Sequence, residues 1–164
     1  MKKLLCFVAA LGLCLPAMNT AWAHCEIPCG IYGDRLRVEL LREDCGTIEK
    51  SMRTIRELGT GSPANNNQLV RWITNKEMHA NKVQEVVAQY FLTQRVKPVA
   101  DTGGTEYARY VTQVTLLHKM LIAAMKCKQT TDTEDVDLLR GLIDAFEKAY
   151  FEPEPAHEHP HEDH

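Results

Sequence analysis

One group of residues that could bind a metal ion lies near the N-terminus of this chain, in the segment HCEIPCGIY at residues 24–32. Cys25 and Cys29 are four residues apart, so a short loop can bring both thiolates to one ion. Pro28 between them fixes a turn, and Gly30 lets the backbone bend tightly beside the second sulfur. The segment therefore predicts a metal site with two sulfur donors.

The residues before this segment have the pattern of a secretory signal peptide. Residues 1–3 carry two lysines, residues 4–15 are mostly apolar, and residues 21–23 have the small-x-small form of a cleavage site. The apolar run is too short to span a bilayer, so an uncleaved membrane anchor is the minor alternative. We expect that cleavage after residue 23 gives a periplasmic or extracellular protein that begins at His24, without stable membrane insertion.

A chain that begins at His24 offers an unusual set of metal donors. The terminal amine, the amide nitrogen of Cys25 and the thiolates of Cys25 and Cys29 place two nitrogens and two sulfurs around one ion. Such a planar donor set suits a d8 ion, and Ni(II) is the natural candidate. The imidazole of His24 could take an axial position. Anionic thiolates and a deprotonated amide would stabilise Ni(III), which makes one-electron chemistry accessible.

This segment resembles the N-terminal nickel hook of the nickel superoxide dismutases, whose pattern is His-Cys-acidic-x-Pro-Cys-Gly-x-Tyr. Residues 24–32 meet every fixed position, with Glu26 where the family more often has Asp. The resemblance extends to about residue 151. It implies an enzyme that disproportionates superoxide to hydrogen peroxide and dioxygen by Ni(III)/Ni(II) cycling, with one nickel ion per chain. It also implies a homohexamer in which the hooks lie near subunit contacts.

The resemblance also implies roles for individual residues. The implied metal ligands are His24, Cys25 and Cys29. Tyr32 and Tyr90 match the two phenols that flank the open face of the nickel. Glu39, after one gapped residue, matches a carboxylate that orients the axial imidazole. Lys97 matches a lysine near the entry to the site.

Two alternatives to the enzyme remain open. A periplasmic nickel-binding or metal-delivery protein would use the same hook without turnover. Exported proteins also often pair their cysteines, so Cys25 and Cys29 could form a disulfide in a bundle that acts only through protein interaction. Tyr32 and Glu39 favour the enzyme, because a carrier needs neither an axial ligand switch nor a gated redox face.

Four amphipathic helices are predicted for residues 33–151, because apolar residues recur there at steps of three and four. The four stripes are Leu41, Cys45, Ile48, Met52 and Ile55; Leu69, Ile73, Ala80, Val83, Val87 and Tyr90; Tyr107, Tyr110, Val114, Leu117, Leu121 and Ala124; and Val136, Leu139, Ile143, Phe146 and Tyr150. Short connections between them favour an all-α up-down-up-down four-helix bundle. Thr131 and Glu134 have the spacing of a capping box, which predicts the start of the fourth helix.

The other candidate ligands have simpler interpretations. Cys45 and Cys127 lie at helix stripes and are expected to be buried thiols, with a disulfide between them as the alternative. His79 is expected to be a satisfied or exposed histidine, and Met125 to fill the core like the other helical methionines. The net charge of −3 gives no support for a nucleic-acid partner.

Residues 152–164 form a separate region of the sequence. They contain five acidic residues, four histidines and three prolines, so they are too polar to pack and are predicted to be a disordered tail. The bland interpretation is a solvated tail. The alternative hypothesis is that its histidines collect nickel for the hook.

Overall fold

The computed structural model describes residues 33–60 and 66–151, and these residues form four helices. The helices are α1 (Asp34–Gly59), α2 (Asn66–Glu85), α3 (Thr105–Gln129) and α4 (Glu134–Phe151). The predicted all-α four-helix bundle is confirmed for this part of the chain. No helix within it combines the length and the apolar character needed to cross a membrane.

Three predicted regions lie outside the described residues. They are the signal peptide at residues 1–23, the hook at residues 24–32 and the tail at residues 152–164. The limits of these regions, and of the bundle at residues 33–151, stay predictions.

Each helix packs against two neighbours. α1 contacts α2 and α4, and α3 contacts the same two helices from the other side. Ion pairs join α1 to α4, where Arg42 donates to Asp144 at 2.9 Å and Arg140 donates to Glu49 at 2.8 Å. Ion pairs that remain partly exposed to solvent contribute about 1 kcal/mol or less each, so apolar burial dominates the stability of the bundle.

The buried core confirms most of the predicted stripes. Its fully buried members include Leu41, Cys45, Ile48 and Met52 of α1, Val83 of α2, Leu117 and Ala124 of α3, and Leu139, Ile143 and Phe146 of α4. Two core predictions are wrong, because Ile73 is 40% exposed and Met125 is 39% exposed. Lys76 of α2 reaches the backbone carbonyls of Lys128 and Thr130 at the end of α3, and Ile73 lies three residues before Lys76, beyond that end. Met125 follows the buried Ala124 by one residue, which turns it by about 100° towards solvent.

The predicted second helix is α-helical only in its first part. α2 continues without a break into a π-helix, Val86–Arg95, so the expectation of one regular α-helix is wrong. Hydrogen bonds in a π-helix join residues five apart instead of four. One side chain has the same spacing: the Thr93 hydroxyl donates to the carbonyl of Ala88, five residues earlier. Tyr90 and Phe91 are adjacent in sequence and both are buried, a pattern that a single α-helical stripe does not provide.

The predicted capping box does not begin the last helix. α4 begins at Glu134 itself, and the carboxylate of Asp132 accepts a hydrogen bond from the Glu134 amide at 3.1 Å. Thr131 would have placed the helix start two residues earlier. Asp is at least as strong a capping residue as Thr, so the nearby carboxylate satisfies the free amide instead.

A buried lysine binds the C-terminal end of α3. The ammonium of Lys76, on α2, donates to the backbone carbonyls of Lys128 at 2.7 Å and Thr130 at 2.8 Å. Lys76 is 4% exposed, and burial lowers its pKa. A cation at this end of a helix satisfies carbonyls that have no partner within the helix and interacts favourably with the helix dipole.

Candidate metal centre

The structure describes three of the seven residues to which the resemblance assigns roles, Tyr90, Glu39 and Lys97. The other four lie outside the described residues: His24, Cys25, Cys29 and Tyr32. The described chain begins at Gly33, directly after the predicted hook. The start of α1 is therefore the point of the described bundle that is nearest in sequence to the predicted nickel ligands.

Tyr90 lies in the π-helix and points towards the start of α1. It is almost fully buried, and its ring packs edge-on against Phe91 with centroids 5.1 Å apart. Its hydroxyl donates a hydrogen bond to Oδ1 of Asp34 at 2.6 Å. Burial, together with the hydrogen bond to Asp34 and the charge of that residue, raises the pKa of Tyr90 to about 12. Tyr90 is therefore a neutral phenol at physiological pH.

Asp34 is the centre of a cluster that the sequence analysis missed. Besides Tyr90, its carboxylate accepts a hydrogen bond from the Tyr150 hydroxyl at 2.8 Å. The Arg95 guanidinium donates to both carboxylate oxygens, at 2.7 and 2.9 Å. Burial raises the pKa of Asp34, but the hydrogen bonds from Arg95, Tyr90 and Tyr150 outweigh it, so the pKa lies below its ordinary value of 3.8. The carboxylate is ionised at neutral pH.

The π-helix explains why Tyr90 and Arg95 both reach Asp34. In an α-helix, residues five apart point about 140° away from each other. In a π-helix the hydrogen bonds join residues five apart, so their side chains lie on nearly the same side. The available sequence signal was an acid in the first turn of α1, which is favourable at a helix N-terminus. Nothing in the local sequence pointed to its distant partners.

Glu39 belongs to a different group of side chains. Its carboxylate accepts a hydrogen bond from Arg42 at 3.1 Å, and its side chain is 62% exposed. Five residues along α1 separate it from Asp34, which turns it by about 140°. The contacts of the described residues therefore place Glu39 and Tyr90 in separate clusters. A carboxylate with one guanidinium partner retains further acceptor positions.

A groove of about 440 Å³ lies between α1 and the second helix, and Tyr90 is one of its lining residues. Arg37 also lines it, and its guanidinium lies 5.1 Å from the centre of the Tyr90 ring. On the same groove, Nδ1 of His79 lies 2.6 Å from Oδ1 of Asp44. This contact confirms that His79 is a satisfied histidine.

A second groove, of about 470 Å³, lies on the side of Asp34 that faces α3 and α4. Lys97, which the resemblance places near the entry to the site, is exposed and lines this groove. Arg95 and Arg109 are its other cations, and Asp34 and Glu106 are its acids. The lining therefore has one more cation than acid, which favours the approach of an anion.

The described residues offer no competing metal site. Within residues 33–60 and 66–151, no group of three or more His, Cys, Asp and Glu side chains is arranged to hold a metal ion. Cys45 and Cys127 are buried free thiols, as predicted. Burial raises the pKa of Cys45 to about 12 and that of Cys127 to about 11, so neither is a thiolate at neutral pH.

The described residues form an all-α bundle, and the contacts of Asp34 hold the start of its first helix, directly after the predicted hook, against the π-helix and α4. The family model of nickel-containing superoxide dismutases matches residues 19–154, which include the hook motif and the four helices. The chain belongs to this family of oxidoreductases, and the predicted resemblance is confirmed. Neither the curated proteins nor the solved structures contain a match to the chain.

Proposed function

We propose that the chain disproportionates superoxide to hydrogen peroxide and dioxygen, with one nickel ion per chain that alternates between Ni(III) and Ni(II). The observation that carries the proposal is the family match, because it spans both the hook motif at residues 24–32 and the bundle. The net reaction consumes two superoxide anions and two protons. The protein must therefore admit an anion and supply protons while it protects its thiolates from peroxide.

The donor types in the hook fit the metal that the family implies. The residues that would hold it are His24, through its amine and its imidazole, Cys25, through its amide nitrogen and thiolate, and Cys29, through its thiolate. Nitrogen and sulfur donors of this kind suit nickel, which supplies a one-electron redox couple when bound. The buried thiols of Cys45 and Cys127 are not thiolates at neutral pH, so they are poor alternatives.

The described residues supply the surroundings of the site. Tyr90 is proposed to flank the open face as a neutral phenol, together with Tyr32. Glu39 is proposed to orient the His24 imidazole, since an exposed carboxylate beside Arg42 retains acceptor positions for a ring N–H. Lys97 and its neighbouring arginines add positive charge near the start of α1, which attracts superoxide.

Export to the periplasm or the outside of the cell, and assembly into a hexamer, are further parts of the proposal. A short hook outside the bundle would gain protection from solvent at a subunit contact. The signal-like pattern of residues 1–23 supports export.

The decisive experiment compares protein that begins at His24 with protein that carries one extra residue before it. The extension turns the terminal amine into an amide, so we expect it to abolish both the oxidised-nickel signal and the quenching of superoxide. Equal activity in the two proteins would refute the ligand set. Tight nickel binding without turnover in the unextended protein would instead identify a metal-binding or delivery protein.

A further inference from the structure

Asp34 connects three separate parts of the chain to the first residue of α1. Its partners Tyr90, Arg95 and Tyr150 are 56, 61 and 116 residues away in sequence. Hydrogen bonds to a charged group are short and about twice as strong as neutral ones, and Arg95 makes two of them in parallel. These contacts fix the backbone two residues after Tyr32, where the predicted hook ends.

We propose that Asp34 is a positioning residue of the nickel site, which holds the hydroxyl proton of Tyr90 and fixes the start of α1 from which the hook extends. The inference rests on the proposed function, because it concerns the residues around the same site. Asp34 acts through Tyr90 and through the backbone, so it is not a catalytic residue.

The hydrogen bond between Tyr90 and Asp34 decides what Tyr90 can offer to substrate or water. A phenol has one proton to donate, and an ionised carboxylate can only accept. With its proton held by Asp34 at 2.6 Å, the Tyr90 oxygen presents lone pairs to any other neighbour. Tyr90 then orders water as an acceptor, and the protons for peroxide come from another group.

Burial is the largest cause of the raised pKa of Tyr90, and the charges around the ring show what the carboxylate of Asp34 adds to it. Arg37 and Arg95 lie 5.1 and 5.6 Å from the centre of its ring, and both favour an ionised phenol. Asp34 opposes them, and Tyr150 from α4 shares the same carboxylate. A phenolate in this position would repel superoxide, so a neutral Tyr90 keeps the approach open to an anion.

The test compares the variants D34N and R95Q in nickel-loaded protein that begins at His24. The ionisation of Tyr90 is followed by ultraviolet titration up to about pH 12, and the titration of the matching variant without Tyr90 is subtracted to isolate it: Y90F for the unmodified protein, and D34N/Y90F for D34N, in which Tyr150 also loses its contact with Asp34. We expect D34N to lower the midpoint for Tyr90 by about one pH unit, because it removes the opposing charge and leaves both arginines. As the pH approaches the new midpoint, the KM for superoxide rises in D34N, and the double variant D34N/Y90F lacks this rise.

R95Q distinguishes this role from simple support of the fold. It breaks the same cluster but removes a cation that favours ionisation, so the midpoint for Tyr90 does not fall. A purely structural role of Asp34 predicts that D34N and R95Q both move it towards the ordinary value of 10.0. Equal falls in the two variants, or no fall in folded D34N, would overturn the proposal.

Two further controls keep the result clear. D34E retains the charge and is expected to restore the titration of Tyr90, and Y150F retains the contact between Tyr90 and Asp34 and is expected to leave the midpoint above about pH 11. If D34N does not fold, a fall in R95Q alone refutes the proposal and an unchanged midpoint supports it. Absence of superoxide turnover in the unmodified protein would refute the proposed function, while the titration still tests Asp34.

Discussion

Replacing Lys76 by methionine removes the buried ammonium that binds the end of α3. Methionine has nearly the same length and no charge, so the change removes the two contacts with the carbonyls of Lys128 and Thr130, together with a longer ion pair to Glu77 at 3.8 Å. We expect K76M to unfold more easily than the unmodified protein. The matched control is K119M, the same substitution at an exposed position of α3.

The magnitude follows from those contacts. Each carbonyl that loses its partner costs about 1–3 kcal/mol, and loss of the cation at the helix C-terminus costs about 1 kcal/mol more. Burial lowers the pKa of Lys76, which shows that burying its charged ammonium costs free energy. K76M avoids this cost, and the saving offsets part of the loss. The net expectation for K76M is a loss of about 3 kcal/mol. For a chain of this size that corresponds to a fall in Tm of about 10 °C.

Urea unfolding followed by far-ultraviolet circular dichroism measures the effect. We expect K119M to stay within about 0.5 kcal/mol of the unmodified protein. If K76M is equally close, the contacts of Lys76 with α3 do not stabilise the bundle and the reasoning fails. A fall in the m-value alone would show a change in the unfolded state and would also count against it.

Three further predictions test other features. Cys45 and Cys127 should react with a thiol reagent at pH 8 at least about 100-fold more slowly in folded than in urea-unfolded protein, because burial raises both pKa values; equal rates would contradict this. Because the pKa of Asp34 is lowered in the folded protein, its stabilising contribution is full above pH 3.8 and is lost as the pH falls through the folded-state pKa. Acid should therefore destabilise the unmodified protein more than D34N, which urea unfolding at a series of pH values measures. Deletion of residues 155–164 should lower nickel occupancy when metal is limiting, and unchanged occupancy by elemental analysis would remove the tail hypothesis.

The helical fold could be predicted from the sequence because each helix has an apolar stripe with the α-helical period. Leu41, Ile48, Leu139 and Phe146 were identified in this way, and all four are fully buried. The method failed where a helix extends past its partner, as at Ile73, since the stripe does not show where the neighbouring helix ends.

The surroundings of Tyr90 could not be predicted by the same means. Its place in the resemblance identified the residue but not its partners, because Asp34 is 56 residues away and the contact exists only after the bundle has formed. The π-helix could not be predicted either, because no side chain in this segment indicates that the backbone hydrogen bonds change from a spacing of four residues to one of five. The hook motif was recognisable because its donors are consecutive in sequence.

The π-helix also means that the direction of Tyr90 depends on the number of residues before it as well as on their identity. An extra residue in a turn shifts the phase of everything that follows, by about 100° for one α-helical position. Deleting a single residue upstream of Tyr90 within Val86–Arg95 would therefore rotate the phenol away from Asp34 even if every remaining side chain were unchanged. Scanning by substitution cannot detect this dependence, whereas a series of one-residue deletions can.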